Sequence, residues 1–400
     1  MEKNVIYDFD TVVSRAGTHA EKYEARERYF GNADVELFWV ADMDLPTPAF
    51  LVDALRERLD HPLFGYTEQY EPIFDSIRWW MANEHGTEVE REWISLAPSV
   101  VTSISIAVQV LTQPGDSVAM LSPVYGPFFS CTTANGRTVA DCPLRVENGR
   151  FEIDFQALET VLARPETTLL LLCNPHNPGG RVWTLPEIER LAHLCAENRV
   201  TLFSDEIHSD IIYPPAQHHS VLQVDAAHAN SVVAHSIGKT FNTSGLQASF
   251  TVISDPGLRN RFRAGLNRAH VGDINLLGKV ALATALSPAG ADYKQQLVAY
   301  LMENIRQVVE KLQTLDKVHV MVPDATFLVW CDFSQLGRWQ EINRRLIRDA
   351  NVALSGGSFF GPAGEGGFRI NCAHPRSQLL PAIDRIVKRF AGGHGYNAGK

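Results

Sequence analysis

Short apolar runs alternate with amphipathic segments between residues 45 and 280. Apolar side chains at helical spacing predict a helix over 100–111, and a proline in a first turn marks another over 185–197. Five apolar runs predict buried strands, over residues 117–121, 168–173, 200–204, 231–235 and 248–254. Alternating strands and helices are typical of a parallel sheet covered on both faces. The pattern therefore predicts an α/β domain with a mostly parallel central sheet.

The pattern changes after Pro288. A long amphipathic helix is predicted first, then two strands, a helix and a last strand, over 293–315, 317–322, 327–333, 339–350 and 368–372. We expect a large domain over 45–287 and a smaller α+β domain over 288–390. Residues 1–44 show little periodicity and are expected to pack with the small domain as an arm. The glycine-rich tail, 391–400, is expected to be disordered.

Composition narrows the class of protein. The 400 residues are 45% hydrophobic and 20% charged, an ordinary globular balance. The net charge of −10 is spread along the chain, which argues against nucleic-acid binding. No apolar stretch approaches the ~18 residues that span a bilayer, and the opening Met-Glu-Lys-Asn-Val lacks the apolar region of a signal peptide. We expect a cytoplasmic protein with neither a membrane nor a nucleic-acid partner.

The cysteines do not have the spacing of metal ligands. They are scattered, mostly in apolar segments, at Cys131, Cys142, Cys173, Cys195, Cys331 and Cys372. We interpret them as reduced core residues, which is typical of a cytoplasmic protein. No metal site is expected.

Polar residues follow three of the predicted strands directly. Asn177 follows the strand over 168–173, in the turn Asn-Pro-His-Asn-Pro-Gly-Gly. Asp205 and His208 follow 200–204, and Ser236 and Lys239 follow 231–235. Because the carboxyl ends of parallel strands meet at one edge of a sheet, these side chains are expected around one crevice.

The lysine suggests the chemistry of this crevice. Lysine amines form Schiff bases with carbonyl compounds, and pyridoxal 5′-phosphate (PLP) is a cofactor that uses a lysine in this way. Alone, Lys239 would be read as a solvated loop residue, Asp205 as a helix cap and His208 as a structural histidine. Together they match what PLP needs, because a carboxylate can hold its ring nitrogen protonated. Asn177 and His208 can supply hydrogen bonds to its ring oxygen.

The remaining requirements of PLP are also met by residues near strand ends. The helix that opens at Val100 and Val101 offers backbone amides for a phosphate, and Ser236 adds a hydroxyl. Tyr125 follows the strand over 117–121 and can stack on the pyridine ring, although alone it would be read as a core aromatic. The sequence therefore predicts a PLP site at the carboxyl edge of the large sheet.

Seven short motifs are distributed along most of the chain. They are Leu-Phe-Trp-Val-Ala-Asp-Met-Asp over 37–44, Phe-Gly-Tyr-Thr over 64–67, Pro-Gly-Asp over 114–116, the turn over 174–180, Ser-Asp-Glu-Ile-His-Ser-Asp over 204–210, Lys-Thr-Phe-Asn over 239–242 and Phe-Arg-Ile-Asn over 368–371. With these motifs the chain resembles fold-type I PLP enzymes of the class I/II aminotransferase superfamily. Within it, the chain is most similar to the cystathionine β-lyase (C–S lyase) branch of the MalY/PatB type.

The resemblance implies a role for each residue. Lys239 would bind PLP covalently and later act as the base, Asp205 would pair with the pyridinium, and Tyr125 would stack on the ring. The other implied PLP contacts are Asn177 and His208 at the phenolic oxygen, and Val100, Val101 and Ser236 at the phosphate. Arg369 would bind the substrate carboxylate, beside Ala41. Tyr66 would reach the phosphate and substrate of the neighbouring subunit, which implies a homodimer with shared active sites.

Two positions depart from the common pattern. Position 238 is glycine where a serine is common before the lysine, and position 247 is glutamine where aspartate-type aminotransferases carry a phosphate-binding arginine. The lyase branch resembles this chain at Gln247, which favours a lyase over a transaminase. It also implies a less positive phosphate site.

The leading hypothesis is β-elimination of cystathionine or a related cysteine S-conjugate, giving a thiol such as homocysteine, pyruvate and ammonia. The alternative is an amino acid aminotransferase of the same fold, because elimination and transamination use the same lysine, aspartate and arginine. A third possibility is a catalytically silent regulatory or binding protein on this fold. The intact Lys239, Asp205 and Arg369 argue against it.

Overall fold

The computed structural model describes residues 5–391, which form two large β-sheets, one small hairpin and the helices around them. The helices are α1 Glu21–Glu24, α2 Arg26–Phe30, α3 Ala49–Asp60, α4 Glu71–His85, α5 Val100–Leu111, α6 Pro127–Ala134, α7 Phe155–Leu162, α8 Leu185–Asn198, α9 Asp225–His228, α10 Pro256–Arg268, α11 Leu276–Ala285, α12 Pro288–Leu312, α13 Trp339–Arg348 and α14 Arg376–Phe390. The strands are β1 Glu36–Phe38, β2 Ile94–Ala97, β3 Ser117–Met120, β4 Thr138–Asp141, β5 Arg145–Glu147, β6 Arg150–Glu152, β7 Thr167–Cys173, β8 Thr201–Asp205, β9 Ser231–Ser236, β10 Ser249–Val252, β11 His319–Val320, β12 Leu328–Asp332, β13 Val352–Gly356 and β14 Gly367–Asn371.

The larger sheet has the strand order β2-β10-β9-β8-β7-β3-β4. Strands β9, β8, β7, β3 and β4 run parallel, and β10 is antiparallel to both of its neighbours. The prediction of an α/β fold with a mostly parallel sheet is confirmed. The five predicted strands all form, with ends that differ by a few residues at most.

Both faces of the larger sheet are buried, which explains its continuous apolar runs. Successive residues of β7 point to opposite sides, so Leu169 and Leu171 pack in one core cluster while Leu170 and Leu172 pack in another. All four are at most 1% exposed. Burying each leucine contributes about 1.5–3 kcal/mol, so the position of each strand is strongly determined. The polar residues at its carboxyl end are fixed with it.

The smaller sheet has the order β1-β13-β14-β12-β11. Its first strand comes from the N-terminal segment, because Glu36–Phe38 pairs in parallel with Val352–Leu354. Tyr7 and Phe9 also lie against α12, with ring centroids 4.9 and 5.7 Å from that of Tyr293. These contacts place the N-terminal segment beside the small sheet. The division into domains at residues 44, 287 and 390 stays a prediction.

Some boundaries differ from those that the sequence predicts. The long helix begins at Pro288, five residues before its predicted start, because Ser287 Oγ caps it by accepting a hydrogen bond from the Gly290 amide at 3.3 Å. The strand predicted over 317–322 shrinks to His319–Val320. The predicted tail lies outside the described residues except for Ala391. Across residues 5–391, the helices include none with the length and apolar character needed to cross a bilayer.

A buried cluster of charges fixes the segment that leads into the larger sheet. Asp44 accepts hydrogen bonds from Arg15 at 2.8 Å, Lys22 at 3.0 Å and the Tyr23 hydroxyl at 2.9 Å. His374 Nδ1 lies 2.9 Å from the same carboxylate. Burial alone would raise the pKa of Asp44, but the His374 hydrogen bond, the Lys22 ammonium and Arg15 hold this pKa well below its usual range. Asp44 is therefore a buried anion that ties the N-terminal segment to the segment after β14.

We expect Asp44→Asn to lower the free energy of unfolding by about 3 kcal/mol at pH 7, because it leaves the buried Lys22 ammonium with a weaker partner. Urea unfolding of the variant and the wild-type protein measures the change. Asp53→Asn is the matched control, because the Asp53–Arg56 pair is exposed and worth about 0–1 kcal/mol.

The same pair of proteins tests the ionisation of Asp44. Because the folded-state pKa is depressed, its stabilisation is present above the unfolded pKa of ~3.9 and is lost as the pH falls below it. The difference between the two proteins should therefore narrow as the pH falls from 7 towards 3. A difference that stays constant would contradict an ionised Asp44.

Candidate active site

A cavity of about 840 Å³ lies at the carboxyl edge of the larger sheet. The predicted site residues that line it are Ala41, Val100, Val101, Tyr125, Asn177, Asp205, His208, Ser236, Lys239 and Arg369. Tyr66 is the exception, because it does not line this cavity. Residues from both sheets therefore meet around one space.

Lys239 enters the cavity from the turn after β9. Its ammonium donates a hydrogen bond to the Ala41 carbonyl at 2.7 Å. Burial, helped by the positive charge of Arg369, lowers the pKa of Lys239 to about 8. Amines react with carbonyl compounds only when unprotonated, so this environment raises the share of reactive amine near neutral pH.

Asp205 is the last residue of β8 and is 3% exposed. Its Oδ1 accepts a hydrogen bond from the Ile207 amide at 3.1 Å. Burial raises the pKa of this carboxyl to about 7. A carboxylate in this state is stabilised by a cation placed against it, so Asp205 is suited to hold a protonated ring nitrogen.

Arg369 lies on β14 of the smaller sheet and is 3% exposed. One terminal nitrogen donates to Asn177 Oδ1 at 2.9 Å, and the other donates to the Trp39 carbonyl at 2.7 Å and to Ser355 Oγ at 3.2 Å. The Nε atom is buried and lacks a partner within residues 5–391. These contacts fix the plane of the guanidinium, and its buried Nε–H is left to donate to an anion such as a carboxylate.

The N-terminus of α5 faces the cavity at Val100 and Val101. Ser99 caps this helix, because its Oγ accepts from the Thr102 amide at 3.1 Å. The first two amides of the helix precede the intrahelical ladder and are suited to an anion. Ser236 is less free than the sequence suggests, because its hydroxyl already donates to the Ala248 carbonyl at 2.8 Å. It also accepts from the Gly238 amide at 3.0 Å.

His208 and Tyr125 complete the wall. His208 is 2% exposed, and its Nδ1 has no hydrogen-bond partner among residues 5–391. Burial, with the charges of Lys239 and Arg369, holds the pKa of His208 well below its usual range, so the ring is neutral. Burial raises the pKa of Tyr125 to about 12, so its hydroxyl keeps its proton. Both residues can therefore act as neutral hydrogen-bonding groups.

Position 238 has little room for a side chain. A Cβ atom added to Gly238 would lie 3.1 Å from Ser244 Oγ and 3.2 Å from Ser236 Oγ. Ser244 lines the cavity, so it supplies a hydroxyl close to the place where a serine at position 238 would have supplied one. Gln247 also lines the cavity, with a left-handed φ of 51°. Sequence reasoning missed Ser244, because its closeness to Gly238 depends on the fold of the turn.

A second missed residue is Asp210, which anchors the turn that carries Lys239. Its carboxylate accepts from Thr240 Oγ1 at 2.6 Å and from Trp80 Nε1 at 2.9 Å, and His85 Nε2 lies 2.9 Å away. Asp210 is the last residue of the motif over 204–210, and Thr240 directly follows Lys239 in the motif over 239–242. Both residues therefore lie in motifs that the sequence singles out. The pair itself is a long-range contact that one sequence does not reveal.

Tyr66 lies in the irregular stretch between α3 and α4 and is fully exposed. Its neighbours Leu63 and Phe64 are also exposed, at 69% and 61%. The structure of the single chain therefore does not bring Tyr66 to the residues around Lys239. Its predicted role depends on a second subunit.

The arrangement around Lys239 corresponds to a known family. The model of that family, aminotransferase class I and II, matches residues 41–386. The chain belongs to this family. The cystathionine beta-lyase PatB of Bacillus subtilis (strain 168) is 40% identical to it over 382 residues, which cover 95% of this chain and 98% of that protein. Protein MalY of Escherichia coli (strain K12) is 30% identical over 386 residues, covering 96% and 98%.

Solved structures agree with this assignment. Cystalysin from Treponema denticola, which contains a pyridoxal 5′-phosphate cofactor, has a TM-score of 0.93 and 29% identity, covering 97% of this chain and 99% of its own. The PLP-bound C–S lyase from Staphylococcus hominis has a TM-score of 0.90 and 28% identity, with the same coverage. The predicted class I/II aminotransferase fold of PLP enzymes is confirmed.

The lowered pKa of Lys239 predicts how its amine reacts. In protein freed of bound carbonyl compounds, labelling of Lys239 by an acylating reagent should rise with pH around a midpoint near 8. Arg369→Met should move the midpoint upwards, because it removes a positive charge that disfavours the ammonium. Peptide mass spectrometry measures the labelling, with the exposed Lys317 as a reference for reagent activity. A midpoint above pH 10 would show that burial does not affect the amine.

Proposed function

We propose that this protein is a PLP-dependent carbon–sulfur lyase that cleaves cystathionine or related cysteine S-conjugates by β-elimination. The observation that carries PLP chemistry is the meeting of Lys239, Asp205 and Arg369 around one cavity, and Gln247 in the wall of the same cavity favours the lyase. The names of the relatives support it, because PatB and other similar proteins are cystathionine β-lyases. The products would be a thiol, pyruvate and ammonia.

The residues around the cavity fit PLP. Lys239 offers an amine with a lowered pKa for covalent attachment, and Asp205 is a buried carboxyl that a protonated ring nitrogen would stabilise as an anion. His208 has a buried nitrogen without a partner beside this space, within residues 5–391. The helix N-terminus at Val100 and Val101 would hold the phosphate. When bound, PLP supplies an electron sink for the electrons left at Cα of the substrate.

Arg369 would bind the α-carboxylate of the amino acid. The guanidinium is already held by Asn177, Trp39 and Ser355, so little side-chain entropy is lost when the substrate arrives. Asn177 is in turn oriented by Arg369, which favours its proposed role beside the ring oxygen of PLP. Tyr125 would cover one face of the ring, and the Ala41 backbone would border the substrate.

Lys239 would then move the proton from Cα. The Ala41 carbonyl accepts a hydrogen bond from the Lys239 nitrogen, so this carbonyl would hold the amine in the cavity when the amine is not bonded to PLP. A lysine with a pKa near 8 can take a proton and return it near neutral pH. Loss of the Cα proton allows the electron pair to expel a thiolate from Cβ, and the thiolate would take a proton from the Lys239 ammonium and leave as the thiol. Water would then hydrolyse the remaining unsaturated amine to pyruvate and ammonia.

An aminotransferase of the same fold is the rival reading. Gln247 favours the lyase, since it stands in the cavity wall where aspartate-type aminotransferases have an arginine. The relatives named aspartate aminotransferase and LL-diaminopimelate aminotransferase 2 are less similar, at 23% and 26% identity. The two activities differ in one requirement, because a transaminase needs a keto acid as second substrate.

We expect PLP-loaded protein to form pyruvate, ammonia and homocysteine from L-cystathionine without any keto acid. Lys239→Ala should abolish the reaction, and Arg369→Lys should lower kcat/KM by about 100-fold, because lysine lacks the planar fork that binds a carboxylate. Arg389→Lys, a surface change, is the control. Product formation that depends on an added keto acid would instead establish the aminotransferase.

We also infer a homodimer with shared sites, in which Tyr66 of each subunit reaches the phosphate in the other. The exposure of Tyr66, Leu63 and Phe64 supports this, because contiguous exposed apolar side chains mark an interface. Six buried free cysteines favour a reducing, cytoplasmic location. The two sheets support the proposed division into a large and a small domain with an N-terminal arm.

Mixed dimers test the shared site. Tyr66→Ala and Lys239→Ala homodimers should each be nearly inactive. A hybrid of the two has one site with an intact Lys239 and an intact Tyr66, so it should recover about half of the wild-type activity. Differently tagged subunits allow the hybrid to be purified and assayed for pyruvate. A hybrid that stays as inactive as its parents would place Tyr66 outside the partner's site.

A further inference from the structure

Lys279 on α11 is a buried lysine outside the cavity. It is 2% exposed, whereas lysines are almost never fully buried unless they are paired. Its ammonium donates hydrogen bonds to the Thr67 carbonyl and, at 2.8 Å, to Asp273 Oδ2. Asp273 balances the charge of the Lys279 ammonium. The hydrogen bond to the Thr67 carbonyl is therefore an additional contact, one that holds the backbone of another segment.

Thr67 belongs to a segment without helix or strand, residues 61–70, which joins α3 to α4. An extended segment has a high conformational entropy unless its backbone is tied down, at about 1–2 kcal/mol for each residue ordered. At its start, Arg58 donates to the His61 and Leu63 carbonyls at 3.2 and 3.0 Å. At its end, Gln69 donates to the Gly272 carbonyl at 3.0 Å. Lys279 supplies the tie in between.

Tyr66 is the residue directly before this tie. Its side chain is fully exposed, so no packing against the described residues, 5–391, selects its position. The position of its Cα therefore depends on the backbone contacts of the segment. Lys279 holds the next carbonyl, and Lys279 itself is fixed by Asp273 and by its place on a packed helix.

We propose that Lys279 is a positioning residue that sets Tyr66 for the cavity of a second copy of this chain. This inference rests on the proposed function and on the shared site. Its consequence is unusual for a buried side chain, because removal of Lys279 would damage the partner's site and spare the site of its own subunit. Lys279 thereby acts through Tyr66 and touches neither substrate nor cofactor.

Lys279→Met tests the proposal, since methionine keeps an apolar stem of similar length and removes the ammonium. We expect the apparent dissociation constant for PLP to rise about tenfold, and to rise no further when Tyr66→Phe is added, because the two residues act through one contact. Lys294→Met is the matched control. Lys294 is part-buried and, like Lys279, paired with a carboxylate, at 2.5 Å from Glu84, and it does not contact the segment. It should change PLP affinity less than twofold.

Hybrid dimers give the decisive readout. A hybrid of Lys279→Met with Lys239→Ala has one site that combines an intact Lys239 with a Tyr66 set by an intact Lys279. That site should bind PLP with wild-type affinity and give about half of the wild-type activity. If Lys279 acts only within its own subunit, the remaining site stays weak in the hybrid and the proposal is wrong. Unchanged PLP affinity in the Lys279→Met homodimer would overturn it as well.

PLP affinity and a second variant keep this test independent of the lyase reaction and of the folding of Lys279→Met. PLP affinity is read from absorbance and does not depend on the reaction, so loss of the lyase hypothesis would leave this test intact. If Lys279→Met fails to fold, Gln69→Ala loosens the same segment from its other anchor. It should weaken PLP binding in the same trans pattern. Unchanged PLP affinity in Gln69→Ala would contradict the proposal that the anchoring of residues 61–70 sets the position of Tyr66.

Discussion

One stretch of backbone, residues 39–45, connects the turn that carries Lys239 to the strand that carries Arg369. Its carbonyl groups accept hydrogen bonds from five side chains of the two sheets and their loops, those of Lys239, Asn242, Ser355, Arg369 and Asn371. Buried carbonyls must be paired, and here the partners are site residues or their neighbours. The stretch therefore positions the amine and the guanidinium at once, although it contributes few side chains to the cavity.

The same contacts set the electrostatics of the cavity. Lys239 and Arg369 are both buried cations, and burial lowers the pKa of each. The positive charge of Arg369 lowers the pKa of Lys239 further. Carbonyl oxygens stabilise these cations without neutralising them, which an aspartate would do. The cavity thus stays positive towards a carboxylate while the lysine can lose its proton. The pKa of Asp205 is raised, because burial raises it more than the Ile207 amide and the charge of Lys239 lower it.

Much of this site is predictable from the sequence, and the reason is local. Asp205 and Lys239 come at the ends of apolar runs that predict buried strands, and the carboxyl ends of neighbouring parallel strands meet at one edge of a sheet. Other features lack such a local signal. Strand β1 is three residues long and is defined by its pairing with β13, and the Asp44 cluster joins residues more than 300 positions apart. Tyr66 is fully exposed, so its predicted role is not visible in the contacts of a single chain.

The contacts of residues 39–45 also have a consequence for synthesis on the ribosome. Arg369 and Asn371, which hold the stretch, are made about 330 residues after it. The larger sheet can form from the strands already made, but the wall of its cavity is incomplete until β14 has been made. A chain that stops before β14 would therefore carry Lys239 and Asp205 without Arg369, the third of the residues that meet around the cavity.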